Sequence, residues 1–191
     1  MNMGARLGGR RRGFCHVEPG GNLPRMVPAQ SPAPDPKREM LRHTVATLAY
    51  RAAKSLANAP DGFAQFKARD TRRTPEAILT HIGDLFDWAL RVAQGDRTYT
   101  EATPLPWKQE VARFFAAVEA FDDYLASDAP LAYPAEQIFQ APIADALTHV
   151  GQLAMLRGMA GAPVRGESYI VAEISIGRVG PDQSAKRFEF D

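Results

Sequence analysis

Asp145, His149 and Gln152 stand at positions i, i+4 and i+7 of the segment Pro142–Gly161, PIADALTHVGQLAMLRGMAG. At 3.6 residues per turn, this spacing stacks a carboxylate, an imidazole and a carboxamide on one helical face. The rest of the segment is apolar nearly all the way round, with Ile143, Ala146, Leu147, Val150, Leu153 and Leu156. A helix of that composition is expected to be buried. Buried polar groups need partners, because each one left unpaired costs about 1–3 kcal/mol. The nearest candidate partner in type is His81, on the shoulder of an earlier apolar stripe and beside Trp88. Two imidazoles and one carboxylate on one side of a divalent ion leave positions open for water or substrate, as catalytic metal sites do. These donors suit zinc, nickel, manganese or ferrous iron alike. Gln152 would then be a contact to a ligand histidine or to substrate. The same residues also allow a second reading without metal, in which Asp145 hydrogen-bonds His149 across one turn.

Four helices are needed to position these groups. Helix 1 is predicted from Asp35, as N-cap before Pro36, to about Asn58, on the stripe Leu41, Val45, Leu48, Ala52 and Leu56. His43 falls off that stripe and is expected in solvent. Helix 2 opens on Thr74, Pro75 and Glu76 and closes at Gln94-Gly95, with Ile78, Ile82, Leu85, Ala89 and Val92 as its core face. Helix 3 spans about Leu105–Ser127 and carries Val111, Phe114, Phe115, Val118, Phe121 and Leu125. Glu119, Asp122 and Asp123 read as solubilising charges on its other side. A Pro-containing linker, Leu131–Ala141, then leads into helix 4, with Pro142 near its start. The fold class is therefore all-α, a four-helix bundle over residues 37–162, and bundle cores are where facing helices build metal sites. The connections on either side of helix 2 are not minimal, which allows a crossover.

The two ends read differently. Residues 1–36 are rich in Gly and Pro with no regular apolar spacing, as in a disordered leader. GRRRGF is not followed by the apolar stretch that a twin-arginine export signal requires. The alternative is a basic arm on nucleic acid through Arg6, Arg10, Arg11 and Arg12, and it lacks interleaved aromatics. Cys15 and His16 lie in this arm, without a rigid setting for reactivity or metal binding. Residues 163–191 read as an irregular extension covering a helix edge, since a strand at YIVAEISI has nothing to pair with. The alternative is a lid with Tyr169 or Glu173 facing a pocket.

A formal net charge of +1 supplies no general pull toward nucleic acid or anionic membrane. No apolar run approaches the roughly 20 residues of a membrane span. The single cysteine forbids an internal disulfide and fits a cytoplasmic setting. The aromatic weight on helix 3 is compatible with a homodimer.

At HVGQLAMLRGMAG (His149–Gly161) and TPEAILTHIGDLFDW (Thr74–Trp88) the chain resembles the DinB/YfiT-like superfamily of four-helix-bundle metalloenzymes. The resemblance covers roughly residues 37–162. It implies a metal held by one histidine on helix 2 and a His-x-x-x-His pair on helix 4. His81 matches the first and His149 the second of the pair, while Asp145 stands where the pair's first histidine would be. The resemblance further implies a transferase or isomerase that uses a low-molecular-weight thiol, whose pKa the metal lowers, on a small-molecule substrate. The substituted position leaves two outcomes open, a site of two histidines and a carboxylate or a degenerate one that holds no metal.

Overall fold

A computed structural model describes residues 35–69 and 73–190. The expected leader therefore lies, but for Asp35 and Pro36, outside the described residues, and Cys15 and His16 with it. Helix α1 (Pro36–Leu56) starts where its cap predicts, with the Asp35 carboxylate accepting from the Lys37 amide at 3.0 Å. Helix α2 (Pro75–Gln94) is capped by the Thr74 hydroxyl, which accepts from the Ala77 amide at 3.3 Å. It ends in a Schellman arrangement, with Gly95 at φ 101° and the Asp96 amide donating to Arg91 O. That positive φ suits glycine, which has no Cβ to clash. Helix α3 covers Trp107–Ala126.

The fourth rod departs from expectation. It begins at Ala135, with Pro134 at its N-cap, and not near Pro142. Helix α4 (Ala135–Ile138), a π turn (Phe139–Ile143) and helix α5 (Ala144–Met159) follow one another without a break. Proline has no amide hydrogen and its ring crowds the carbonyl four residues back. The π turn absorbs Pro142 inside the rod, and such turns occur often at functional sites. Asp145 stands in the first turn of α5. Nor is α5 buried all round. Ala146, Val150, Leu153 and Leu156 are buried, but Met155 and Met159 are exposed.

Packing sets the bundle order. Helix α2 lies against α3 and α5, and α1 lies against the same two, so α1 and α2 face each other across the diagonal. The connection from Ala57 to Thr74 is thus the crossover that the sequence allows. Tyr50, Phe86, Phe114, Phe121 and Leu153 are among the largest wholly buried side chains. The rings of Phe86 and Phe114 meet edge-on at 6.0 Å, and those of Phe86 and Phe121 at 6.1 Å. No helix is long and apolar enough to cross a membrane among the described residues.

Two charged groups are not where the sequence suggests. Asp122, expected in solvent, is buried and takes a two-pronged bond from Arg42, at 2.9 Å on each oxygen. Arg157, a charge in the last turn of α5, is also buried. Its guanidinium donates to Ser55 O, Ala57 O and Asn58 O at the end of α1 and to Ala162 O after α5. It closes two helix ends whose last carbonyls have no partner within the helix. Burial holds its pKa below the ordinary arginine value.

The tail finds the partner that sequence reading does not supply. Strand β1 (Gly166–Glu167) pairs antiparallel with β2 (Glu189–Phe190), Gly166 opposite Phe190. YIVAEISI itself forms turns and bends. The Glu167 carboxylate, fully buried, accepts from Tyr50 Oη at 2.6 Å, from Lys54 Nζ at 2.7 Å and from the Phe188 amide. Lys54 also pairs with Glu189 at 2.8 Å. Burial pushes the Glu167 pKa up, but the bonds from Lys54, Tyr50 and Phe188 outweigh it and leave the carboxyl below its ordinary value.

Candidate metal centre

The diagonal arrangement of α1 and α2 brings α2 against α5, and with it His81 against Asp145 and His149. His81 Nε2 lies 3.5 Å from Asp145 Oδ2, and His149 Nε2 lies 3.4 Å from Asp145 Oδ1. The two imidazoles meet edge to face, 4.7 Å between centroids and 84° between planes. One ligand atom from each residue falls within 4.8 Å of the other two. Donors bonded tetrahedrally at about 2.0–2.1 Å from one ion stand about 3.3–3.4 Å apart. Each histidine–carboxylate separation is close to that edge, though each runs to a different Asp145 oxygen. The group as a whole spreads to within 4.8 Å, so His81, Asp145 and His149 form a group that could hold a metal ion after a small closure of the side chains. The imidazoles are mostly covered, at 19% and 13% side-chain exposure, whereas Asp145 is at 49%. One side of the group therefore opens to solvent.

The outer nitrogens of both rings are occupied. His149 Nδ1 is 2.8 Å from Gln152 Oε1, and His81 Nδ1 is 2.9 Å from Tyr99 Oη. A carboxamide oxygen only accepts, so this contact uses Nδ1 as the donor, and Nε2 is the nitrogen that faces Asp145. Gln152 thus touches the site through His149, as the helical spacing suggests. Burial, the neighbouring His149 ring and Arg73 push the His81 pKa below its ordinary value, against the pull of Asp145. This keeps the ring neutral and able to ligate near neutral pH.

Tyr99 escapes sequence reading. It lies 18 residues from His81 in a polar loop without periodicity, and nothing in its spacing points to the site. Side chains of α2 and α3 hold that loop. Asp84 accepts from the Ala102 amide at 3.1 Å and Glu110 from the Leu105 amide at 2.9 Å. Arg113 ties both carboxylates together, 2.7 Å from Glu110 and 3.0 Å from Asp84, and donates to Thr80 O at 2.6 Å. Gly83 makes room for it, because a Cβ there would stand 2.6 Å from Arg113 Nη2. Trp88 Nε1 donates to Arg97 O at 3.1 Å, and its ring edge supports Tyr99 at 5.8 Å. Beside His81 a cavity of about 170 Å³ is lined by Arg73, Thr80, Asp84, Tyr99 and Glu101.

Residues that orient a ligand histidine commonly contribute about 10–100-fold to metal affinity. Tyr99→Phe and Gln152→Leu are each expected to weaken zinc binding in that range, measured by competition with a chromogenic chelator. Unchanged affinity in both variants contradicts an orienting role.

Fold and site together define a helical bundle carrying a two-histidine, one-carboxylate cluster at the rim of the α2–α5 contact. No family model matches the chain, and comparison with curated proteins and with solved structures finds no match.

Proposed function

We propose that the protein is a divalent-metal-dependent enzyme of the DinB/YfiT-like kind, a transferase or isomerase acting with a low-molecular-weight thiol on a small-molecule substrate in the cytoplasm. The observation that supports this reading is the convergence of His81, Asp145 and His149 across two helices, at ligand-to-ligand separations. A divalent cation held there supplies Lewis acidity and lowers the pKa of a coordinating thiol. The chain's own part is positional. Asp145 brings the negative charge, Gln152 and Tyr99 hold the rings, and neutral His81 offers its lone pair. The half-exposed carboxylate leaves the outer side of the group open to a ligand, and the 170 Å³ cavity beside His81 can receive the substrate. Zinc, nickel, manganese and ferrous iron remain the candidates by donor type.

The alternative is a non-catalytic bundle, binding a ligand or a second copy, in which the cluster is a polar network. It is favoured by one observation, that both outer ring nitrogens have side-chain partners within the chain. Against it, 3.4–3.5 Å is long for a bond between an imidazole and a carboxylate, since charge-assisted bonds run about 2.7–2.9 Å.

Metal analysis of protein purified without an affinity tag separates the two readings. The expected result is about one equivalent of a transition metal per chain, lost from the variant carrying both His81→Ala and His149→Ala. Full occupancy in that variant would sink the proposal.

A further inference from the structure

On the side of α5 turned away from Asp145 and His149 lies a cavity of about 420 Å³. At 100° per residue, Leu147, Gly151 and Ala154 point about 180–240° around the helix from Asp145. The cavity, open to solvent on one side, is lined by Thr47, Arg51 and Ser55 of α1 and by Val164 and Tyr169 of the tail. Its volume falls within the range of small-molecule sites. We propose that this cavity binds a small amphipathic monoanion, a carboxylate with an apolar body, at a site separate from the metal cluster.

Three features carry the inference. The first is the head-group partner. The Arg51 guanidinium stacks 3.9 Å from the centre of the Tyr169 ring and has no carboxylate partner among the described residues. The neighbouring hydroxyls already donate to their own helix, Thr47 to His43 O and Ser55 to Arg51 O. Arg51 is therefore the charged group in the lining that can recognise a charged head, and it recognises an anion. The second is the body of the site. Leu147, Val150, Ala154 and Val164 offer apolar surface with no hydrogen-bonding demand. The third is Gly151. A Cβ at this position would meet nothing within 4 Å. Glycine inside a helix lowers its stability relative to alanine, and no neighbour among the described residues requires it here. Gly151 lines the cavity, and a longer side chain there would project into its open space.

The wall that Tyr169 forms is a fixed one. Two residues before it, buried Glu167 is bonded to Tyr50 and Lys54, and the Tyr50 ring meets Tyr169 edge-on at 6.3 Å. At roughly 30 Å³ per water the cavity holds about a dozen waters, which matches an anion of about ten to fifteen non-hydrogen atoms.

Octanoate and its neutral counterpart 1-octanol test this by calorimetry or ligand-observed NMR on the full chain. Saturable octanoate binding is expected, at least about tenfold tighter than 1-octanol. Arg51→Met is expected to weaken octanoate about tenfold and leave 1-octanol unchanged. Gly151→Leu, which fills the cavity, is expected to abolish binding of both while helical circular dichroism and thermal midpoint are retained. Octanoate binding unaltered in Gly151→Leu places the anion elsewhere and overturns the proposal. So does the lack of saturable binding to the wild-type chain, or sedimentation showing that a second copy occupies this face.

Discussion

Replacing Asp145 with alanine is expected to lower zinc affinity about a thousandfold, roughly 4 kcal/mol. The carboxylate supplies the one formal negative charge of the group and sits between the two imidazoles, 3.5 Å from one and 3.4 Å from the other. Without it, two neutral nitrogens on different helices remain. Stability reports the same loss. With free zinc a thousandfold above its dissociation constant, wild type gains about 4 kcal/mol, whereas a thousandfold weaker variant at the same zinc gains about 0.4 kcal/mol. Metal-free Asp145→Ala should stay within about 0.5 kcal/mol of wild type, because the side chain is half exposed. Asp145→His, which would give the three-histidine set of the proposed family, is expected to keep zinc affinity within about tenfold of wild type. Zinc titrations followed by thermal unfolding check all three. Equal zinc responses in wild type and Asp145→Ala would leave the carboxylate as a hydrogen-bonding group only. Protons compete for the same nitrogens, so affinity falls on acidification. The lowered pKa of His81 delays its part of that loss.

Arg157→Met is expected to destabilise the fold by about 3 kcal/mol, since each carbonyl left without a partner near the core costs about 1–3 kcal/mol and water reaches some of them. For a domain of this size that is a fall of about 6–12 °C in thermal midpoint. One guanidinium serves Ser55 O at 3.0 Å, Ala57 O at 2.7 Å, Asn58 O at 3.4 Å and Ala162 O at 3.0 Å, and it lies 5.9 Å from the Phe63 ring. Methionine keeps the stem and loses every one of these bonds. Lysine, a single point donor, is expected to recover less than half of the loss. Zinc affinity of the folded fraction should not change, because Arg157 lies two turns beyond His149 and bonds only to backbone carbonyls. A variant with wild-type stability would show that these bonds do not hold the two helix ends together.

These two residues show where sequence reading succeeds and where it stops. Asp145 is legible because its spacing to His149 is a property of one helix, and a resemblance to a family pattern draws attention to the position. The bonding of Arg157 is not legible, since its acceptors are carbonyls about a hundred residues away, and every residue type carries the same carbonyl. Asp122 fails for a related reason. Its place on the α3 wheel depends on where α1 lies, and Arg42 then turns a flank position into a buried pair. The tail reads as unpaired from sequence because YIVAEISI is the one stretch with strand character. Two-residue strands such as Gly166–Glu167 and Glu189–Phe190 are too short to leave a period.

Capping residues, apolar period and donor types are written in windows of a few residues, and they determine what the sequence alone determines here: four rods, the starts of α1 and α2, and histidines and a carboxylate on inward or shoulder positions. Which rods touch is not local. The diagonal placement of α1 and α2 follows from how complete helix faces fill one core, and only that placement carries His81 to Asp145 and His149. The tertiary structure likewise decided that Pro142 lies inside a rod, because the π turn that accommodates it depends on the helix continuing through to both sides. It also brought in Tyr99, through a loop pinned by carboxylates of α2 and α3. Side-chain chemistry is inherited from the sequence, and the distances that make it a site come from packing.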